Sequence, residues 1–504
     1  MNNLYDLCVC GSGPSAFFLV KTFLEKNPRS RVIVVEAGLG QIDRSTSLST
    51  RPSLNQSFKL SPTINIGKGG TSQLWHNVLA PLDDEDFHEK SWVQNSGWPI
   101  KKSDLDPFYS QVCDYFGFKF NVFDEPEEFI DFDREFKKIL VDSDIFDYKI
   151  FVHPKRYLRS DEEFKSLVNN YEGLDFHDGI VALSLEGEGP KKNINIFNRK
   201  SNEKGLIQAK KIVLCCGALN NPEILLNSRG IQEKLPLVGK FLMDHPMGNF
   251  YQYKYSEKKK AKIFSGVALN KATNMKIALK LNRDLRKERK LANSVFYLRP
   301  SFSEGVNNKS EELKNKLLTV RAKLKKFVFP LNETLELLMD FNTVRQIIQY
   351  KTGFLSSHKL TDIMFVTEQR PSEKSSVELN GSINKFGNQS TSVRWIINNE
   401  DLREVSDIVD VLDRKLMLVN GALPTSGYSK LNWKNRLASA AHHLGTVRMS
   451  ADTKTGCVDS NLKLHGIDNV FVCDGSVFPT SGNANPTMTC MALAARLGNY
   501  LSDV

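Results

Sequence analysis

The chain has 504 residues, of which 40% are hydrophobic and 25% charged, and a formal net charge of +10. That length is too great for one small core and predicts two or three lobes of an ordinary globular protein. No apolar run approaches the roughly 20 residues that span a bilayer. The N-terminus also lacks the basic, apolar and cleavage regions of a secretory leader, so a cytoplasmic location is expected.

The eight cysteines, Cys8, Cys10, Cys113, Cys215, Cys216, Cys457, Cys473 and Cys490, lie mostly inside apolar runs. They lack metal-ligand spacing and read as small core residues of a reducing compartment, so no metal site is expected. Positive charge gathers at Lys258–Lys260, Arg286–Lys290, and Arg321, Lys323, Lys325 and Lys326. These clusters read first as solvated faces and second as a weak contact for an anionic surface. No nucleic-acid module accompanies them.

Leu4–Cys10 reads as a buried strand that runs into Gly11-Ser12-Gly13-Pro14-Ser15-Ala16 and then into an apolar helix through Phe17, Leu19, Val20 and Phe23. A second strand, Arg31–Val35, ends at Glu36. This is a G-x-G-x-x-A dinucleotide fingerprint in its strand–turn–helix–strand context. Gly11 permits the tight turn, Gly13 lets the backbone approach a pyrophosphate, and Ala16 keeps helix and strand close. Free N–H groups at the helix start face the phosphates, and Glu36 stands where a carboxylate accepts from the adenosine ribose. The fingerprint by itself does not separate FAD from NAD.

Residues 40–66 read as an extended loop, followed by the glycine-rich stretch Gly67–Asn77, whose backbone could pass close to a flat or charged group. Helices are expected near Leu105–Phe116 and Glu127–Val141. Ile180–Leu185 and Asn193–Phe197 read as a β-meander that leads into the buried strand Ala209–Cys216 and a helix from Asn221-Pro222 through Leu226. From about 246 to 435 strand-like runs (Lys262–Ala268, Lys276–Lys280, Ser294–Leu298, Asp362–Thr367, Thr391–Ile396) alternate with a helical insertion over about 311–350. Near the end, Ala441–Thr446 and Asn485-Pro486-Thr487 flank the apolar run Asn469–Cys473, which stops at Asp474. Such loops at a sheet edge are where α/β folds place catalytic groups.

With these segments in hand, the chain resembles the glucose–methanol–choline (GMC) oxidoreductases, FAD enzymes that oxidise alcohols and sugars. The resemblance is carried by Gly11–Ala16 with Glu36, Gly69–Ser72, Leu214–Pro222, Val238–Pro246 and His442–Thr489, with a weaker sign at Glu368–Pro371. It implies an α/β protein: a discontinuous Rossmann-type FAD domain over 1–245 and 436–504, and a substrate domain over 246–435 with a mixed or antiparallel sheet. It places Gly11, Gly13 and Ala16 at the pyrophosphate and Glu36 at the ribose. Gly70, Thr71 and Asn77 fall along the flavin, Val181 near the adenine, Asp474 by the ribityl–pyrophosphate region, and Pro486 and Thr487 at the isoalloxazine ring. The active-site histidine falls on His442 and its partner position on Asn485. His443 competes, since neighbours in an extended segment face opposite ways, and His245 reads as a support of the flavin domain.

Asn485 and Trp75 look most like the pyranose-oxidase and sugar-dehydrogenase branches. Some members hold FAD through a histidine just before that tryptophan; Leu74 stands there, with His76 offset, so non-covalent FAD is expected. The resemblance thus implies a small-molecule alcohol substrate, a sugar or polyol first and an apolar or aromatic alcohol second, with the electron acceptor open. Family members with lyase or light-driven decarboxylase chemistry, and an inactive flavin-binding scaffold, are the rival expectations. An NAD dehydrogenase would leave Gly69–Ser72 and Asp474–Thr487 without a role.

Overall fold

A computed structural model of the chain describes residues 4–40, 49–50, 64–129, 145–186, 191–260, 267–270, 273–301, 357–420, 422–425 and 437–504. The expected insertion over 311–350, most of Glu127–Val141 and the basic cluster at Arg321–Lys326 lie outside the described residues. No described helix is long and apolar enough to cross a membrane.

The parallel part of the first sheet runs Leu174–Asp178, Val32–Glu36, Tyr5–Cys10, Glu203–Leu214 and Val470–Val472. Leu7 through Cys10, Val32 through Val35 and Ile212 through Leu214 are all buried, which is why these strands read as continuous apolar runs rather than alternating ones. The twelve-residue strand Glu203–Leu214 serves two partners. Its first half closes the expected meander, antiparallel to Lys192–Asn198, which pairs with Ile180–Glu186. Its second half pairs with the first strand and with Val470–Val472.

The first helix, Pro14–Lys26, starts with proline at its N1 position, where no backbone donor is lost. It packs on the closing helix Thr487–Asp503. The starts of both helices, Pro14 and Ser15 in one and Thr487 in the other, line the same cleft.

Among the described residues the second sheet has eight strands, and every pairing in it is antiparallel. Its order is Val267–Asn270, Thr273–Leu281, Val295–Ser301, Ser357–Val366, Pro246–Lys260 and Ala422–Pro424, with Ala438–Ser439 also on Pro246–Lys260. One strand, Phe146–Pro154, comes from inside the 1–245 stretch and pairs along its whole length with Thr273–Leu281. The Thr391–Ile396 run forms Gln389–Arg394, which joins Ser376–Ile383 and Ser49–Thr50 in a separate three-stranded sheet. Tyr251, Tyr253 and Tyr255 share one buried face, and Tyr253 donates to Asp413 on the helix Asn399–Asn420 at 2.5 Å.

An ionic cluster ties two strands of the second sheet to loops outside it. The Asp83 carboxylate accepts from Lys149 at 2.8 Å, Lys280 at 2.7 Å, Asn293 at 2.8 Å and Asn483 at 3.3 Å. Burial works to raise its pKa, but Lys149 and Lys280 hold it well below the usual range. Arg286, expected within a basic face, is instead buried and paired with Glu85 at 2.5 Å, while Lys287, Arg289 and Lys290 are exposed. All eight cysteines are free thiols.

Candidate active site

At the N-terminal end of the cleft, Gly11 adopts φ +100°, and a Cβ there would lie 2.4 Å from the Cys215 carbonyl oxygen. Only glycine meets both conditions, so the turn fits tightly under the strand end at Cys215. Gly13 and Gly217 also line the cleft, and a Cβ on either would project into open space. Together they leave a backbone-walled cradle beside the N-terminus of the first helix. Ala16 lies fully buried beneath that turn and off the cleft wall.

Glu36 ends the second strand, buried, and accepts from Ser12 Oγ at 2.6 Å and Gly38 N at 2.9 Å. Burial raises its pKa to about 7, against these hydrogen bonds, which lower it. Ser12 Oγ in turn accepts from Gly69 N at 2.9 Å, so one chain of bonds ties fingerprint, acidic residue and glycine-rich turn together. Ser12 carries no motif meaning of its own, and sequence reasoning passes over it. Gly70, Thr71 and Val181 line the cleft with Glu36.

Asn77 does not line the cleft. It is fully buried at φ +57°, and its amide donates to the carbonyls of Pro154 at 2.9 Å and Arg156 at 2.8 Å. Its Oδ1 has no hydrogen-bond partner among the described residues. Asp474 lines the cleft, but its carboxylate is saturated: Gly217 N at 2.7 Å and Asn221 Nδ2 at 2.8 Å on Oδ2, Ser476 N at 2.8 Å and Oγ at 2.6 Å on Oδ1. It organises the loops that shape the cradle.

At the other end stand His442 and Asn485, both half-buried, with Asn485 Nδ2 3.1 Å from His442 Nε2. The backbone reaches His442 through Ala441 at φ +62°, a conformation that costs an alanine about 1–2 kcal/mol. Asp244 holds it there. Its Oδ1 accepts from the backbone N–H groups of Ala440 and His442, each at 3.1 Å, and its Oδ2 accepts from Ser439 Oγ at 2.5 Å, which accepts from Ala441 N at 2.9 Å. Three residues after His442, Gly445 turns the chain at φ +87°, where a Cβ would lie 2.3 Å from the Phe241 carbonyl oxygen.

The second nitrogen of His442, Nδ1, lies 2.8 Å from His245 Nδ1. This contact, between positions 197 apart in the chain, is absent from the motif reading. His443 also lines the cleft, but its ring faces Asp244, with Nε2 3.8 Å from Oδ2. Burial, then His245 and His443, lowers the His442 pKa well below 6.5. Burial lowers His245 and His443 to about 4. All three imidazoles are therefore neutral at physiological pH. The cleft wall thus brings together Gly11, Gly13, Glu36, Gly70, Thr71, Val181, His442, Asp474, Pro486 and Thr487, with Asn485 against His442.

Fold and site define a Rossmann-type protein in which a glycine-walled cradle and His442, paired with Asn485, share one cleft. Two sequence models described as GMC oxidoreductase match residues 180–247 and 371–494. Over these two stretches the chain is similar to the GMC oxidoreductase family.

Among curated relatives, paromamine 6'-oxidase of Streptomyces fradiae is 28% identical over 134 residues, 26% of this chain and 23% of that protein. A long-chain-alcohol oxidase of Arabidopsis thaliana is 33% identical over 64 residues, 13% of this chain and 8% of that protein. The chain thus spans less than a quarter of the length of the curated relatives it matches. Among solved structures, pyridoxine 4-oxidase from "Mesorbium loti" superposes with TM-score 0.59 at 16% identity, covering 99% of both chains. A fungal aryl-alcohol oxidase gives 0.59 at 15%, covering 100% of this chain and 99% of that one. At such identities these matches establish the fold.

GMC oxidoreductases bind FAD. The residues present fit that group: open cradle positions at Gly13 and Gly217, a helix N-terminus for the pyrophosphate, and a buried carboxylate at Glu36 for ribose hydroxyls.

Proposed function

We propose that the protein is an FAD-dependent oxidoreductase that converts an alcohol CH–OH to a carbonyl, with His442 as the base and Asn485 as the group that holds the substrate oxygen. The observation that carries this reading is the Asn485–His442 pair, whose histidine lines the same cleft as the glycine-walled cradle. One member of the pair is a donor and the other an acceptor, separated by 3.1 Å. A hydroxyl both accepts and donates, so its oxygen suits the apex of a triangle with sides of about 2.8 Å to the two nitrogens.

When bound, FAD supplies the two-electron acceptor for the carbon-bound hydride. The protein's part is the proton. His442, kept neutral by desolvation and by its histidine neighbours, takes the hydroxyl proton on Nε2. Asn485 Nδ2 stays with the oxygen as it becomes a carbonyl. Asp244, by pinning the backbone on both sides of Ala441, keeps the imidazole from swinging away. One C–H and one O–H bond break, one C=O π-bond forms, and the proton and hydride leave to different acceptors.

The cofactor would be held by Gly11, Gly13 and Glu36 at its adenosine and pyrophosphate end and by Gly70, Thr71, Pro486 and Thr487 at its ring end. Binding would be non-covalent, because the side chain before Trp75 is the aliphatic Leu74. A sugar or polyol is the substrate class that paromamine 6'-oxidase and the Asn485–Trp75 resemblance support. The long-chain-alcohol oxidase match supports the second reading, an apolar alcohol.

An anaerobic screen of flavin bleaching against sugars, polyols and long-chain alcohols tests the proposal. Bleaching by a sugar or polyol supports the first reading, and bleaching by long-chain alcohols alone moves the substrate to the second. A flavin that binds but is bleached by no alcohol contradicts the proposed reaction.

A further inference from the structure

His245 sits with no exposed surface at the start of the strand Pro246–Lys260, and nothing in the motif reading gives its ring a task. Its Nε2 faces two backbone carbonyls, Ser481 at 3.2 Å and Gly482 at 3.0 Å. Carbonyl oxygens only accept, so Nε2 must carry a hydrogen and donate to them. In a neutral imidazole the other nitrogen, Nδ1, is then bare. That bare nitrogen lies 2.8 Å from Nδ1 of His442. Two bare nitrogens do not approach to that distance, so the hydrogen between them belongs to His442 Nδ1. It follows that His442 Nε2 is bare, which agrees with Asn485 presenting its amide Nδ2 to it at 3.1 Å. The whole chain has one consistent set of hydrogens. Asn485 donates to His442, His442 donates to His245, and His245 donates to the Ser481–Gly482 backbone.

The geometry points to His245 as a positioning residue that locks His442 in the tautomer whose Nε2 lone pair faces the cleft. This rests on the proposed role of His442 as base, and it supplies what a base needs, a lone pair on the nitrogen nearest the substrate. The anchor is rigid, because the lock is referred to backbone carbonyls rather than to a side chain that can rotate. It also sets a direction. A proton taken up on His442 Nε2 has no onward path through His245, whose outward nitrogen already carries one, so the proton returns to the cleft side. The titratable groups around His245 are His442 on one side, Asp244, whose carboxylate accepts from the backbone N–H groups of both histidines, and, further off, Glu368 and Lys149, while His442 also faces His443. None of them supplies a carboxylate to either ring nitrogen of His442, which sets this arrangement apart from an Asp–His pair.

The test is 15N NMR of the FAD-loaded protein with labelled histidine, in which bare and protonated imidazole nitrogens resonate far apart. The chain has nine histidines, so the His442 signals are assigned by their loss in His442→Gln. The expected wild-type result at pH 7 is a protonated Nδ1 and a bare Nε2 on His442. His245→Gln should keep that pattern, since a glutamine side chain accepts from His442 with its oxygen and donates to the carbonyls with its nitrogen. His245→Leu should lose it, with signal appearing for protonated Nε2. A wild-type His442 protonated on Nε2, or an unchanged tautomer in His245→Leu with FAD still bound, overturns the proposal. Should His245→Leu fail to fold, the wild-type and Gln spectra still decide. Because this readout needs no substrate, it stands apart from the activity test of His442: a locked tautomer with no effect of His442 on flavin reduction would sink the base assignment and leave the lock standing.

Discussion

Replacing Asn485 by aspartate keeps the shape of the side chain and reverses what it offers to His442. In the native pair an amide N–H points at His442 Nε2 across 3.1 Å. A carboxylate there attracts a proton onto Nε2 with about 5 kcal/mol at that distance and an effective dielectric of 20. Burial of the new charge offsets part of this and leaves the imidazole pKa raised. In the native protein His442 is neutral and active above its depressed pKa, so flavin reduction should be independent of pH through 6.5 and fall only on the acid side. In Asn485→Asp the acid limb should move to higher pH, and reduction at pH 7 should fall by about a hundredfold, because the donor to the substrate oxygen is gone and a carboxylate stands in its place. The assay is anaerobic rapid mixing between pH 5 and 9, following flavin absorbance with an alcohol that bleaches the native enzyme. An Asn485→Asp protein that reduces its flavin at the native rate and with the native pH profile refutes the donor–acceptor reasoning.

Acid precipitation should release all of the FAD, and yellow colour retained on the pellet would refute non-covalent binding. Glu36 has a pKa of about 7 in the ligand-free cleft, while ribose hydroxyls bind its ionised form. FAD affinity should therefore weaken as pH falls below 7, and Glu36→Gln should bind about tenfold more weakly at pH 8 and lose the pH dependence. Gly445→Ala combines a φ of +87° with a Cβ 2.3 Å from a carbonyl oxygen, and should cost roughly 2–5 kcal/mol of stability, read as a lowered unfolding midpoint.

The sequence carries the fold where structure is local. The glycine turn, the helix start at Pro14 and the strand ending at Glu36 lie within one βαβ unit, and each is recognisable from side-chain type and spacing. Strand Phe146–Pro154 shows the opposite case: the sequence reading does not single it out, and its partner, Thr273–Leu281, lies more than a hundred residues on. Thr391–Ile396 does read as a strand, yet nothing local says that it leaves the main sheet for one shared with Ser49–Thr50. Arg286 sits in a run of exposed cations, and its partner Glu85 lies about two hundred residues earlier in the chain.

The site divides in the same way. His442 and Asn485 follow from the family pattern, and the 3.1 Å contact between them is what folding adds. His245 and Asp244 look like an ordinary turn before a strand. Their work, one on the ring of His442 and the other on its backbone, appears only when the chain returns nearly two hundred residues later. Asn77 shows that a matching position need not touch the cleft: its amide is spent on the carbonyls of Pro154 and Arg156.

The most direct measurement is the anaerobic rate of flavin reduction in His442→Ala beside His443→Ala, each confirmed to hold FAD. Loss of the base should slow His442→Ala by at least about a hundredfold, equivalent to about 2.7 kcal/mol of barrier, while His443→Ala stays close to the native rate. An unchanged rate in His442→Ala together with abolished reduction in His443→Ala would contradict the account.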